Sequence, residues 1–264
     1  TRFRPPLVLR WNPAIPRYHA LPMQGVLVTA AVDLATSFIK ARFRGPSPPD
    51  EPTIRADVER HLREALNWSS RVQFYGMNRA EETETTTIAL QLHAEPRRFR
   101  GRRTQSELQN EVDLLTNDRN YVLLGDPGAG KTTTIKRLIR RLLLEPPTAA
   151  SDDFQIPILI RLRELGSTAG LSAAIALAVG LPFDERVRTD SEGGRIVRKH
   201  ELWFSNIRLE TAVIEFLNSA KAVLFLDGLD EIPSAIRKAV IREITSLALN
   251  VSGSKIIASC RTGD

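Results

Sequence analysis

The chain has a single cysteine, Cys260, among 264 residues. No intrachain disulfide is therefore possible, which fits a reducing, cytoplasmic setting. No secretory leader pattern is present. No membrane span is expected either. The stretch Gly25 to Ile39 is fairly apolar, but it is short and Asp33 interrupts it. It reads as a core or amphipathic helix. No internal repeat is apparent. Neither sign of charge dominates, with 37 Lys and Arg against 31 Asp and Glu. The net +6 and a pI of 9.8 leave nucleic acid as a possible partner. The basic excess sits in local clusters such as Arg97-Arg98-Phe99-Arg100-Gly101-Arg102-Arg103, which read as solvated faces, so that partner is not favoured.

What is present is enough apolar material for a core, 42% of the residues. The first twenty residues, with Pro5, Pro6, Pro13 and Pro16, read as an irregular arm. Gln24 to Arg42 reads as a helix. The Pro-rich stretch 45–52 is a candidate linker, and Thr53 a candidate cap for a helix with Ile54, Val58, Leu62, Ala65 and Leu66 on one face. Thr85 to Leu92 alternates like a strand. Leu108, Val112 and Leu115 are spaced as a helix. Residues 184–199 read as an exposed, charged excursion.

The most informative segment is Gly125-Asp126-Pro127-Gly128-Ala129-Gly130-Lys131-Thr132-Thr133. It matches G-x-x-x-x-G-K-[ST], the phosphate-binding loop, and it lies between an apolar run, Tyr121 to Leu124, and a helical pattern. Glycines let the backbone turn so that its N–H groups face phosphate oxygens, and the following helix adds its positive end. Lys131 is expected on the β- and γ-phosphates and the Thr132 hydroxyl on Mg²⁺.

From Tyr121 onward, short apolar strands alternate with helices. Strands are expected at Tyr121–Leu124, Ile156–Leu162, Ala222–Leu226 and Lys255–Ser259. Helices fall at Thr132–Leu144, Leu171–Val179, around Leu209–Leu217, and from Ser234 with Ile236, Val240, Ile241, Ile244 and Leu247 inward. This pattern predicts an α/β fold: a three-layer αβα P-loop NTPase with a central parallel sheet, preceded by a mostly helical N-terminal segment. Asp227 ends the third strand and is expected to hold Mg²⁺ opposite Thr132. Either Glu231 or Asp230 can orient or deprotonate the attacking water, with Glu231 preferred. Arg261, at the end of the last strand, can sense the γ-phosphate.

These segments, together with Pro157-Ile158-Leu159-Ile160-Arg161-Leu162-Arg163 and Phe225-Leu226-Asp227-Gly228-Leu229-Asp230-Glu231-Ile232-Pro233, resemble the NACHT domain. That domain belongs to the STAND class of signal-transduction ATPases, which includes NOD-like receptors. The distinguishing mark is the tiny Gly228 directly after Asp227, with the acidic pair further on. Ile257 to Arg261 is similar to the family's sensor 1 element. The resemblance covers residues 85–264, with residues 1–84 outside it, and implies a domain cut after sensor 1. It further implies binding of ATP and ADP with Mg²⁺, slow hydrolysis, a homo-oligomer in the ATP state, and effector and sensor domains outside this chain. No guanine-reading N-K-x-D pattern occurs. Two alternatives stand beside the switch: an ATPase that remodels nucleic acid or protein, and a nucleotide-binding module that does not hydrolyse.

Overall fold

Val223, Leu224, Phe225 and Leu226 offer no polar face, and such a strand needs apolar cover on both sides. In the computed structural model all four are fully buried. The structure describes residues 21–44, 48–72, 81–83, 91–94, 107–144, 155–166, 170–192 and 195–262. In chain order, helices α1 (Leu21–Arg42) and α2 (Glu51–Ser70) come first. Two small antiparallel pairs follow, β1 (Arg71–Val72) with β2 (Glu81–Glu82) and β3 (Gln91–Ala94) with β4 (Glu107–Asn110). Next are α3 (Asp113–Thr116), β5 (Tyr121–Gly125), α4 (Lys131–Leu144), β6 (Ile156–Arg161) and α5 (Gly170–Ala178). The antiparallel strands β7 (Asp184–Glu192), β8 (Arg195–Phe204) and β9 (Ile207–Arg208) lead into α6 (Leu209–Ser219). Last come β10 (Ala222–Asp227), α7 (Ser234–Asn250) and β11 (Lys255–Arg261).

The central sheet is parallel throughout, in the order β5-β11-β10-β6. From β5 the chain crosses to the far edge through α4, then returns to β10 and β11 through α5, α6 and α7. Right-handed crossovers therefore set α4 on one face and α5, α6 and α7 on the other. Helix α4 packs on all four strands, with α1 and α2 stacked against it, while α5 packs on α6 and α7. The three-layer α/β architecture expected from the sequence is thus the one formed. Helices α1 and α2 share one contiguous core with it. Phe38 of α1 meets Phe216 of α6 edge-on, with ring centroids 5.5 Å apart.

Strand β6 is an outer strand, and α2 lies along it. There the Leu159 N–H donates to Nε2 of His61 at 3.2 Å. Burial pushes the His61 imidazole down to about 4, with the Arg60 charge adding to it. The ring is held neutral as an acceptor for a backbone donor that the sheet leaves unpaired.

Several expectations are corrected. Thr53 does not cap α2. Asp50 does, accepting from the Thr53 N–H at 3.0 Å, and Glu51 and Pro52 form the first turn instead of a linker. Proline has no N–H to satisfy, so it suits that turn. Leu108 lies in β4, and between β4 and β5 the helix is the short Asp113–Thr116. Tyr121–Leu124 is an edge strand, with Val122 and Leu124 exposed at 54% and 64%. Residues 184–192 and 195–199 are paired strands of the β7-β8 ribbon, and 184–189 are exposed, as expected of an excursion. Ile241 is exposed, at the margin of a stripe formed by Val240 and Leu247. The arm at 1–20, residues 45–47, most of the strand expected at Thr85–Leu92, the boundary at 84/85 and the basic cluster at 97–103 lie outside the described residues.

Candidate functional site

The phosphate-loop sequence connects β5 to α4, and residues 126–129 are exposed. Gly128 and Gly130 take φ of +84° and +85°, where a side chain is strained. A Cβ on Gly125 would sit 2.9 Å from that of Ala129, so the loop closes this tightly only with glycine there. The Ala129 N–H donates back to the Asp126 carbonyl at 3.0 Å. Lys131 opens α4, and its Nζ donates to the carbonyls of Gly125 at 2.5 Å and Asp126 at 3.0 Å. The ammonium is thereby held against the loop, where the first turn of α4, with Thr132 and Thr133, directs unpaired N–H groups outward.

The second half lies on the neighbouring strand ends. Thr132 Oγ1 donates to Asp227 Oδ1 at 3.0 Å, across 95 residues of sequence. This brings the start of α4 to the carboxyl end of β10. Ser259 of β11 also donates to Asp227 Oδ1, at 2.8 Å, and accepts from the Gly228 N–H at 2.8 Å. Gly228 has φ +83°, and a Cβ there would meet the Glu231 carboxylate carbon at 3.2 Å. A larger residue would push Glu231 away from the strand end.

The two candidate acids differ in their surroundings. The Asp230 side chain is 7% exposed and is gripped by Arg261 twice, by Nε at 2.8 Å and by the backbone N–H at 3.2 Å. Arg237 also donates to the Asp230 carbonyl at 3.2 Å. Glu231 is 39% exposed and 3.9 Å from each of Arg261 and Arg163. Glu231 is therefore the acid with freedom to meet a water molecule. Arg261 sits on the acid pair.

Sequence reasoning missed a wider polar network. Thr262 donates to the Asp126 side chain, tying β11 to the loop. Arg161, in register with Asp227, pairs with Glu164 at 2.6 Å. Lys136, one turn after Thr132, donates to the Arg71 carbonyl at 2.5 Å and lies 4.8 Å from the Trp68 ring centre. Burial pushes its ammonium below the ordinary lysine value, Asp227 opposes this, and Arg163 and Arg161 add to it. The available signal was position alone: each residue lies at or just past the end of a parallel strand, or one turn into α4.

A family model described as "AAA domain" matches residues 114–259, more than half of the chain. The chain belongs to the AAA domain family. No curated protein matches it. This AAA domain carries P-loop ATPase architecture, whose chemistry is nucleotide binding and hydrolysis. Among the described residues no helix is long and apolar enough to cross a membrane. None of them form a group of three or more His, Cys, Asp and Glu that could hold a metal. A threonine hydroxyl and an aspartate carboxylate joined by a 3.0 Å hydrogen bond are hard ligands that suit Mg²⁺, which takes one or two protein oxygens and fills its sphere with phosphates and water. The donor set of the AAA domain therefore fits a metal that arrives with the nucleotide.

Proposed function

We propose that this AAA domain is an ATP-driven molecular switch of the NACHT type, with slow Mg²⁺-dependent hydrolysis of the β–γ bond. The observation that carries the reading is the Thr132–Asp227 pairing beside a lysine held on the loop. In this reading Gly125 to Thr133 bind the phosphates and Lys131 neutralises the β- and γ-oxygens. Thr132 and Asp227 hold Mg²⁺, which supplies charge stabilisation to the leaving and transferred oxygens. Glu231 takes a proton from, or orients, the attacking water. Asp230 holds Arg261, and Arg261 answers the presence or loss of the γ-phosphate. The left-handed Gly228, which leaves room for Glu231, supports the NACHT-type arrangement over one with an acid directly after the aspartate. Residues 85–264 are the switch domain. The ATP state favours a homo-oligomer and activates an effector, in the cytoplasm, through domains outside this chain.

The first test is Lys131→Ala. Mg-ATP is expected to raise the melting temperature of the parent protein, by the usual linkage of a ligand to the folded state, and to leave the variant unmoved. An unchanged shift in the variant would overturn the assignment of the loop. Size-exclusion chromatography in Mg-ATP against Mg-ADP separates a switch, which assembles in one state only, from a module with no nucleotide response. A hydrolysis rate stimulated by DNA or RNA, with steep salt dependence, would instead favour a remodelling ATPase.

A further inference from the structure

We propose that Ser259 is a positioning residue for the metal: it fixes Asp227 so that Oδ2 is the oxygen turned to the ion. The inference rests on the reading of Thr132 and Asp227 as the Mg²⁺ ligands. Ser259 is 2% exposed on β11, beside β10. Its Oγ stands 2.8 Å from the Gly228 nitrogen and 2.8 Å from Asp227 Oδ1. The Gly228 N–H can only donate, so it takes a lone pair of the hydroxyl. The carboxylate can only accept, so the single hydroxyl hydrogen is committed to Oδ1. Thr132 Oγ1 donates to that same oxygen at 3.0 Å. Two donors converge on Oδ1, and among the described residues no hydrogen bond reaches Oδ2.

The arrangement has a consequence for Thr132. As a magnesium ligand its hydroxyl offers a lone pair to the ion and keeps its hydrogen for Oδ1. Ser259 then supplies the second fixed donor, from the neighbouring strand β11. It locks the carboxylate against rotation, because turning it would break two hydrogen bonds at once. It also ties this carboxylate to the left-handed turn that carries Asp230 and Glu231. Outer partners of metal ligands act in this way, and their loss weakens metal affinity about 10–100-fold.

The test separates metal binding from nucleotide binding. Protein saturated with ADP in EDTA is titrated with Mg²⁺, and bound ion is followed by thermal shift or by Mn²⁺ paramagnetic resonance. Ser259→Ala is expected to raise the half-saturating Mg²⁺ concentration about tenfold or more. Its metal-free affinity for ADP should stay within about twofold, since among the described residues the Ser259 side chain bonds to Asp227 and Gly228 and not to the loop. Ser259→Thr, which keeps the hydroxyl, should restore the metal midpoint. If the alanine variant does not fold, Ser259→Cys gives the same comparison with a weaker donor. A metal midpoint unchanged in the variant, or a loss shared equally by metal-free ADP binding, overturns the proposal. If the parent protein itself shows no Mg²⁺-dependent tightening on nucleotide, the proposed function fails first, and this inference with it.

Discussion

The carboxyl ends of the sheet and its outer β6 edge meet the same difficulty, polar groups at the margin of an apolar core, in opposite ways. At the carboxyl ends charge answers charge. Asp227 collects two hydroxyl donors, Asp230 is clamped by Arg261, and Glu231 lies between two arginines at 3.9 Å each. Such a network can be rearranged, because each partner can be exchanged for a phosphate, a metal or a water. At the β6 edge, α2 brings an apolar stripe of Ile54, Val58, Leu62 and Ala65, and a single neutral imidazole takes up the Leu159 N–H. That contact cannot be exchanged for anything a ligand supplies. The difference separates a margin whose contacts a nucleotide and its metal could replace from one that only holds the fold together.

The sharpest way to break the comparison lies within the acid pair. Glu231→Gln keeps size and hydrogen bonding, so binding and melting temperature should hardly move while steady-state ATP turnover falls by about 10²–10⁴. Asp230→Asn removes the charge under Arg261 at a side chain only 7% exposed. It should lower stability by about 1–3 kcal/mol, seen as a reduced denaturant midpoint, with a smaller loss of turnover. If Asp230→Asn stops turnover at full stability and Glu231→Gln does not, the roles of the two acids are reversed.

The parallel strands and the loop were legible in the sequence because their signals are local. Ala222 to Leu226 is apolar without interruption, and the loop pattern names its own backbone geometry. What escaped reading depends on partners far along the chain. Tyr121 to Leu124 looks as apolar as an inner strand, yet nothing in it says that β5 pairs on one side only. The β7-β8 ribbon is charged on both faces, so its alternation carries no apolar signal. It is held by pairing across strands and by Phe204 at its base, packed against Phe38. Ser259 reads as one polar residue ending a strand. Its link to Asp227 follows from the register that sets Leu226 beside Ala258.

The β6 edge gives the next prediction, through pH. His61 titrates near its ordinary value of 6.5 when unfolded, but burial holds it down to about 4 in the fold. Between those values the unfolded chain binds the extra proton, so stability rises with pH across that window. It is fully present above 6.5 and is lost progressively as pH falls toward 4. The residue as a whole is half-buried, which places the loss by pH 5 at about 1–2 kcal/mol. Denaturant midpoints measured at several pH values check this. His61→Gln should flatten the slope in that window, while lowering stability at pH 7. A slope unchanged in the variant would show that His61 is not the source of the acid sensitivity.

The smallest effect concerns how α2 is started. Asp50 has extended backbone angles, φ −75° and ψ 157°, and its side chain accepts from the Thr53 N–H. The Thr53 hydroxyl first, then the Thr53 N–H and the Asp50 backbone N–H, hold the carboxyl below the usual aspartate value, against desolvation. Thr53 lies inside the first turn, and its hydroxyl serves the helix start only by helping to hold the Asp50 carboxylate. Asp50→Ala should therefore lower the denaturant midpoint measurably, and Thr53→Ala should lower it less. Neither change touches the loop, Asp227 or the acid pair, so the affinity for Mg-ADP should be the same in both variants. A cap mutation that weakened nucleotide binding would show that α2 does more than cover an edge, and that its contact with α4 through Lys136 carries strain from one margin of the sheet to the other.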